Sequence, residues 1–127
     1  MRSGDLSSAT VEFGGRRRPL LDLVDSWARH VRRFARESSG ADFDSSWGVY
    51  DYIAALHIRD AVARGLGDQP DLPPPVAAAD ELLRRFTEPD HDRLLQRAEP
   101  DAPRDPWWWQ RVPSAGPVAT DLAALKD

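Results

Sequence analysis

Residues 47–66, WGVYDYIAALHIRDAVARGL, contain no proline, and their two glycines lie near the ends of the stretch. On a helical wheel the apolar residues form two groups, with Tyr52 and Leu56 on one side and Ile58 and Val62 on the other. A helix at a protein surface buries a single stripe. The stretch therefore predicts a central helix that is covered on two sides, either continuous or kinked near its middle.

Residues 20–37 show the clearest helical pattern in the chain. Their apolar side chains, among them Trp27, fall within one arc of the wheel, and the other positions are charged or polar. Pro19 suits a first turn, while aspartates come early and arginines come late, as the helix dipole favours. The pattern predicts a helix that packs one face against the core and exposes the other.

Beyond these two stretches, proline-rich loops alternate with shorter helical patterns. An apolar stripe predicts a third helix at residues 76–86, and Thr87 has the spacing of a helix cap for a fourth helix that ends near residue 98. Residues 118–125 predict a short last helix. We therefore expect an all-α fold, a small bundle of four or five helices around the central helix at residues 47–66, with a proline-rich C-terminal strap.

The length of 127 residues fits one domain. Residues 1–16 are rich in glycine and serine and show no helical period, so we expect a flexible tail there and a single helical domain at residues 17–127. The alternating run at residues 10–13 could form a short strand, but one strand cannot make a sheet.

The composition excludes several classes of protein. The chain has no cysteine, which rules out disulfides, thiolate nucleophiles and cysteine-based zinc sites. No apolar run approaches the roughly 20 residues that cross a bilayer, so we expect a cytoplasmic protein with no membrane contact. Phosphate-loop, dinucleotide-binding and zinc-hydrolase motifs do not occur, so we expect no cofactor and no metal. Frequent arginine, alanine, proline and aspartate suggest a genome rich in G and C, and we expect a bacterial protein.

Three consecutive tryptophans, Trp107, Trp108 and Trp109, are the most unusual feature of the sequence, and Arg111 follows closely. If the segment is extended, Trp107 and Trp109 point to one side and Trp108 to the other. At least two of the three indoles could fill gaps in the core, since aromatic residues most often pack there. The alternative is a binding surface, because Trp and Arg are enriched at interface hot spots. On that hypothesis we expect Trp108 to be the exposed indole.

A polar cluster is predicted on the central helix, where His57, Asp60 and Arg64 share one face. A histidine beside a carboxylate can serve acid–base catalysis or bind a metal. The same residues can equally form a structural network. A small enzyme would use this cluster in a pocket beside Tyr50 or Tyr52, but the sequence identifies no nucleophile there.

The net charge of −4 is unevenly distributed: residues 1–39 carry eight arginines against five acids, and residues 40–127 carry nine basic residues against 16 acids. We expect an acidic module that binds another protein, possible partners being a toxin or a larger subunit. It could be an immunity protein or antitoxin that masks a toxin, or an accessory adaptor of a bacterial system. An enzyme is the first alternative and is less favoured.

A nucleic-acid-binding module is the second alternative. It would use Arg16, Arg17 and Arg18 with the arginines of the first helix. Because acids alternate with those helix arginines and the whole chain is acidic, we expect no nucleic-acid partner.

Overall fold

The computed structural model describes residues 8–39, 47–67 and 69–126. Within them the helices are α1 (Leu20–Ser38), α2 (Val49–Leu66), α3 (Pro74–Phe86), α4 (Leu94–Ala98) and α5 (Pro117–Ala123). The strands are β1 (Thr10–Phe13), β2 (Arg16–Pro19), β3 (Thr87–Pro89) and β4 (Arg111–Pro113). Short 3-10 helices cover Trp107–Gln110 and Ala124–Lys126.

Helix α2 is continuous and has buried residues around most of its circumference. Tyr52 and Leu56 are buried on one side, and Ile58 and Val62 on the other. The prediction that both sides of this stretch are covered is therefore confirmed, and the helix does not break in its middle. Helix α1, β1, α4 and α5 all pack against it.

Specific contacts and residues determine where α2 begins and ends. The Asp121 carboxylate of α5 accepts the Val49 backbone N–H at 3.0 Å, which satisfies one of the unpaired donors of the first turn. The helix ends at Gly67, whose φ of 60° favours glycine. Inside the last turn, a Cβ at Gly65 would lie 2.6 Å from Leu20 Cδ1, so this glycine permits the close approach of α1.

Helix α1 buries one stripe, as its sequence pattern predicts. Leu23, Trp27, Val31 and Phe34 are almost completely inaccessible to solvent. The helix packs against both α2 and α3, so this stripe forms the middle of the core.

The predicted all-α class is wrong, because the described residues also form two antiparallel two-stranded sheets and the fold is mixed. Strands β1 and β2 pair from Thr10 opposite Pro19 to Phe13 opposite Arg16. The two-residue turn between them, Gly14 and Gly15, has φ values of 64° and 80°, as a tight hairpin requires.

The second sheet replaces the start of the predicted fourth helix. Residues 87–89 form β3, which pairs with β4, and α4 begins only at Leu94. Thr87 is not the helix cap. Its hydroxyl donates to Leu83 O at the end of α3, and the Asp90 carboxylate accepts the backbone N–H groups of the first α4 residues. Pairing with β4 thus outweighs the local capping signal.

The part of the predicted tail that the structure describes, residues 8–16, contains β1 and the hairpin turn. Val11 is buried against the core, and the Leu20 N–H donates to Ala9 O at 2.9 Å. The Arg64 guanidinium donates to Glu12 O at 2.8 Å. The hairpin is therefore attached to α1 and α2. Residues 1–7 of the predicted tail lie outside the described residues.

A chain that starts at Arg16 should melt below a chain that starts at Ser8, which keeps the hairpin. Removing β1 exposes the surface that Val11 covers, and burying a valine stabilises by about 1.5 kcal/mol or more. For a domain of this size that corresponds to a melting temperature lower by roughly 4 °C or more. Thermal melts of the two chains make the comparison, and equal melting temperatures would show that the hairpin adds nothing to stability.

Candidate functional site

A buried ion pair joins α2 to α3. Arg59 Nε donates to Asp80 Oδ1 at 3.0 Å and Arg59 Nη2 donates to Oδ2 at 2.9 Å, so the pair is bidentate. The two residues are 3% and 1% exposed. Trp27 of α1 adds a third contact, because its indole N–H donates to Asp80 Oδ1 at 3.0 Å. One carboxylate therefore connects three helices.

Trp108 covers the other side of this pair. The centre of the Arg59 guanidinium lies 4.1 Å from the centre of its ring, in cation–π geometry. Its indole N–H donates to Asp60 Oδ1 at 2.8 Å. Arg59 Nη1 is buried without a hydrogen-bond partner, and the Trp108 ring lies against the guanidinium group to which it belongs.

Asp60 also accepts the indole N–H of Trp109, with distances of 2.9 Å to Oδ1 and 3.0 Å to Oδ2. Arg59 and Asp60, adjacent on α2, thus bind adjacent indoles of the chain that crosses the helix. Trp108 and Trp109 are only 7% and 4% exposed. They are part of the core.

The expectation that Trp108 is the exposed indole is therefore wrong. Residues 107–110 form a 3-10 helix and not an extended strand. Successive side chains in a 3-10 helix diverge by about 120°, so neighbours can both reach one surface. Trp107 is the least buried of the three. Its ring meets Trp108 edge-on, with centroids 5.7 Å apart, and the Arg84 guanidinium lies 3.9 Å from its centroid.

The predicted cluster is only partly assembled. His57 Nδ1 lies 3.8 Å from Asp60 Oδ2, its Nε2 lies 3.4 Å from Glu99 Oε2, and its ring contacts Trp109. Arg64 is instead exposed and bonded to the hairpin through Glu12 O. Both nitrogens of His57 thus face carboxylates, an arrangement that ties α2 to the segment after α4.

An open cavity of about 260 Å³ lies beside His57 and Arg64. The hairpin forms the rest of its wall through Glu12, Phe13 and the two turn glycines, so the lining contains no hydroxyl or thiol. Tyr50 is 73% exposed, and the Tyr52 hydroxyl donates to Arg111 O at 2.9 Å. Neither tyrosine is therefore positioned as the predicted enzyme would need.

Arg111 bridges the two strands of the second sheet. Its Nε donates to Thr87 Oγ1 at 2.9 Å, and its Nη2 donates to Thr87 O at 2.7 Å. The side-chain donors of Arg111, a predicted binding residue, are thus engaged within the fold, close to the hydroxyl of Tyr52. Burial raises the pKa of Tyr52 far above its ordinary value of 10.0, although the nearby Arg111 opposes the shift.

Arg59, Asp80 and Arg84 are not among the site residues that the sequence predicts. A signal exists for Asp80, which falls on the apolar stripe of α3 beside Ala79 and Leu83, where an acid needs a buried partner. Arg59 lies between Ile58 and Val62 on a helix that is apolar on two sides. A charged residue at such positions on each of two helices indicates a buried pair.

No protein-family model, curated protein or solved structure matches this chain. In residues 8–39, 47–67 and 69–126, no three His, Asp or Glu side chains are grouped so that they could hold a metal ion. None of the helices described in those ranges has both the length and the apolar character to span a membrane.

The raised pKa of Tyr52 predicts a loss of stability at high pH. The unfolded chain releases the phenol proton near pH 10, whereas the folded chain retains it. Stability that is complete below pH 10 is therefore lost as the pH rises above it. Tyr52→Phe should cost about 1 kcal/mol at pH 7, through the lost hydrogen bond to Arg111 O. Above pH 10 the variant should lose stability less steeply than the wild type.

Urea unfolding of both proteins at pH 7, 9, 10.5 and 11 measures this difference. A constant gap between the two unfolding free energies across the series would show that Tyr52 ionises equally well in both states.

Proposed function

We propose that the protein is a protein-binding module and that Trp107 and Arg84 form the centre of its binding surface. The observation that supports this most is that the three tryptophans differ in burial and in hydrogen bonding. Trp108 and Trp109 donate hydrogen bonds to Asp60 in the core, whereas Trp107 is only partly buried at the edge of the core. An indole in that position is anchored through its neighbours in the chain.

The geometry of this pair suits a binding hot spot. The Arg84 side chain is 47% exposed and lies against the Trp107 ring, and its nearest acid, Glu81, is 4.0 Å away. Trp and Arg are the residue types that most often dominate interface energy. The Trp107 ring already packs against Trp108. Its side chain would therefore lose little conformational entropy when a partner binds.

The charge of the chain supports a basic partner. Residues 40–127 carry nine basic residues against 16 acids, a balance of −7. An acidic protein is attracted to a basic one over long distances, and this speeds association. The proposal includes an immunity protein or antitoxin that masks a basic toxin in the cytoplasm, and an adaptor of a larger subunit.

The two alternatives have less support. The enzyme would need His57, Asp60 and Arg64 to act together, but Arg64 bonds to the hairpin and His57 lies between two carboxylates.

For nucleic-acid binding, arginines must present their charge to phosphates. Arg17 instead bonds to Thr10, Arg29 pairs with Asp25 and Arg33 pairs with Glu37. These contacts engage one arginine of the hairpin and two of α1 with groups of the protein itself.

Trp107→Ala should weaken partner binding by about 2 kcal/mol, or roughly 30-fold in Kd, the scale of a hot spot. Arg84→Ala should weaken binding in the same direction. Tyr50→Ala is the matched control, because it removes another surface aromatic that is 73% exposed. The partner is captured from the native host with the wild-type protein and purified, and each Kd is measured by calorimetry.

Thermal melts of the same variants separate binding from folding. We expect Trp107→Ala to melt close to the wild type, since its ring is partly exposed, and Trp108→Ala to be much less stable. If Trp107→Ala binds as tightly as the wild type while Tyr50→Ala does not, the binding surface is at the start of α2. If the wild type captures no protein, the proposed function fails.

A further inference from the structure

A second open cavity, of about 320 Å³, lies between the turn before α4 and the chain that leads into the tryptophans. Its volume is at the lower end of the range for small-molecule sites. Three basic side chains line it together with two glutamines, one acid and an apolar floor: His91, Arg93, Arg104, Gln96, Gln110, Asp90, Pro89 and Trp109.

The basic side chains of this cavity are not neutralised by the protein. Among residues 8–39, 47–67 and 69–126, no hydrogen bond or ion pair involves the side chain of His91, Arg93 or Arg104. Other arginines nearby differ, since Arg97 donates to backbone carbonyls and Arg111 donates to Thr87.

The acid of the cavity is already engaged. Asp90 Oδ1 accepts the Leu94 N–H at 2.9 Å, and Oδ2 accepts the Leu95 N–H at 3.0 Å. Two arginines and a histidine therefore surround a space in which the single carboxylate is partly compensated by backbone donors. A cavity with this lining attracts an anion.

The backbone of Arg93 is an independent observation at the same place. Its φ is 55° and its ψ is 42°. Among the described residues other than glycine, Arg93 alone has a positive φ. Glycine adopts this conformation without strain, whereas a residue with a Cβ does not. Strained residues occur preferentially at ligand sites. Here the strained position carries one of the two cavity arginines.

We propose that this cavity binds a phosphate group, either free phosphate or a small organic phosphate. The planar guanidinium groups of Arg93 and Arg104 match tetrahedral oxyanions, and each can donate two hydrogen bonds. Gln96 offers an additional amide donor, whereas the Gln110 amide donates to Arg104 O and Asp105 O and shapes the wall. The Trp109 ring and Pro89 supply an apolar floor for a small organic group. The site is separate from Trp107 and does not rest on the proposed protein binding.

Calorimetric titration with sodium phosphate, at an ionic strength kept constant with sodium chloride, tests the proposal. We expect a Kd of about 1 mM or tighter for the wild type, and a Kd at least tenfold weaker for Arg93→Gln and Arg104→Gln. Arg36→Gln is the matched control: it removes the same charge from an exposed position on α1 and should bind phosphate like the wild type.

Two further arms make the result specific. Titration with glycerol phosphate distinguishes the two sources: tighter binding than inorganic phosphate identifies a small organic phosphate, and equal binding identifies free phosphate. Arg93→Gly removes the cation and the backbone strain together, so it should melt above Arg93→Gln and still fail to bind.

The proposal is overturned if phosphate up to 10 mM gives no binding heat with the wild type. It is equally overturned if both cavity variants bind like the wild type, or if Arg36→Gln loses binding as much as they do, because the effect would then be one of net charge.

Discussion

The Arg59–Asp80 ion pair is the interaction on which the rest of this structure depends. Removing two charges from water costs several kcal/mol for each ion, and the cost is offset only when the geometry is good and the remaining groups are satisfied. The bidentate contact and the Trp27 N–H supply the geometry, and the face of Trp108 covers the guanidinium, whose Nη1 has no hydrogen-bond partner. Helices α1, α2 and α3 and the tryptophan segment must therefore converge on one point.

Asp60 extends this constraint to the C-terminal part of the chain. It accepts the indole N–H groups of Trp108 and Trp109, so a segment bounded by prolines becomes part of the core without a long helix of its own. Because Trp108 and Trp109 are held in this way, Trp107 lies beside Arg84 at the edge of the core. This position of Trp107 determines the location of the proposed binding surface. Trp109 also forms the floor of the proposed phosphate site, so the same segment shapes both surfaces.

Periodicity in the sequence was sufficient to predict α1, α2 and α3, because each buries side chains at helical spacing over at least three turns. The hairpin was missed although the alternating run at residues 10–13, followed by Gly14 and Gly15, carries its signal. Three arginines after the turn resembled a solvated tail. The prediction that Trp108 is the exposed indole is wrong because it rests on extended geometry, whereas residues 107–110 form a 3-10 helix. The Arg59–Asp80 contact joins residues 21 positions apart in sequence, and only the packing of both α2 and α3 against α1 brings them together.

Equilibrium unfolding of Asp80→Ala tests most directly whether this ion pair organises the fold. Removing the carboxylate leaves Arg59 charged and buried, and the predicted loss is about 3–5 kcal/mol. The double variant Asp80→Ala with Arg59→Met should recover part of that loss, because no unpaired charge remains. Asp25→Ala breaks the exposed Asp25–Arg29 pair and should cost less than about 1 kcal/mol. An unfolding free energy for Asp80→Ala equal to that of Asp25→Ala would contradict this account.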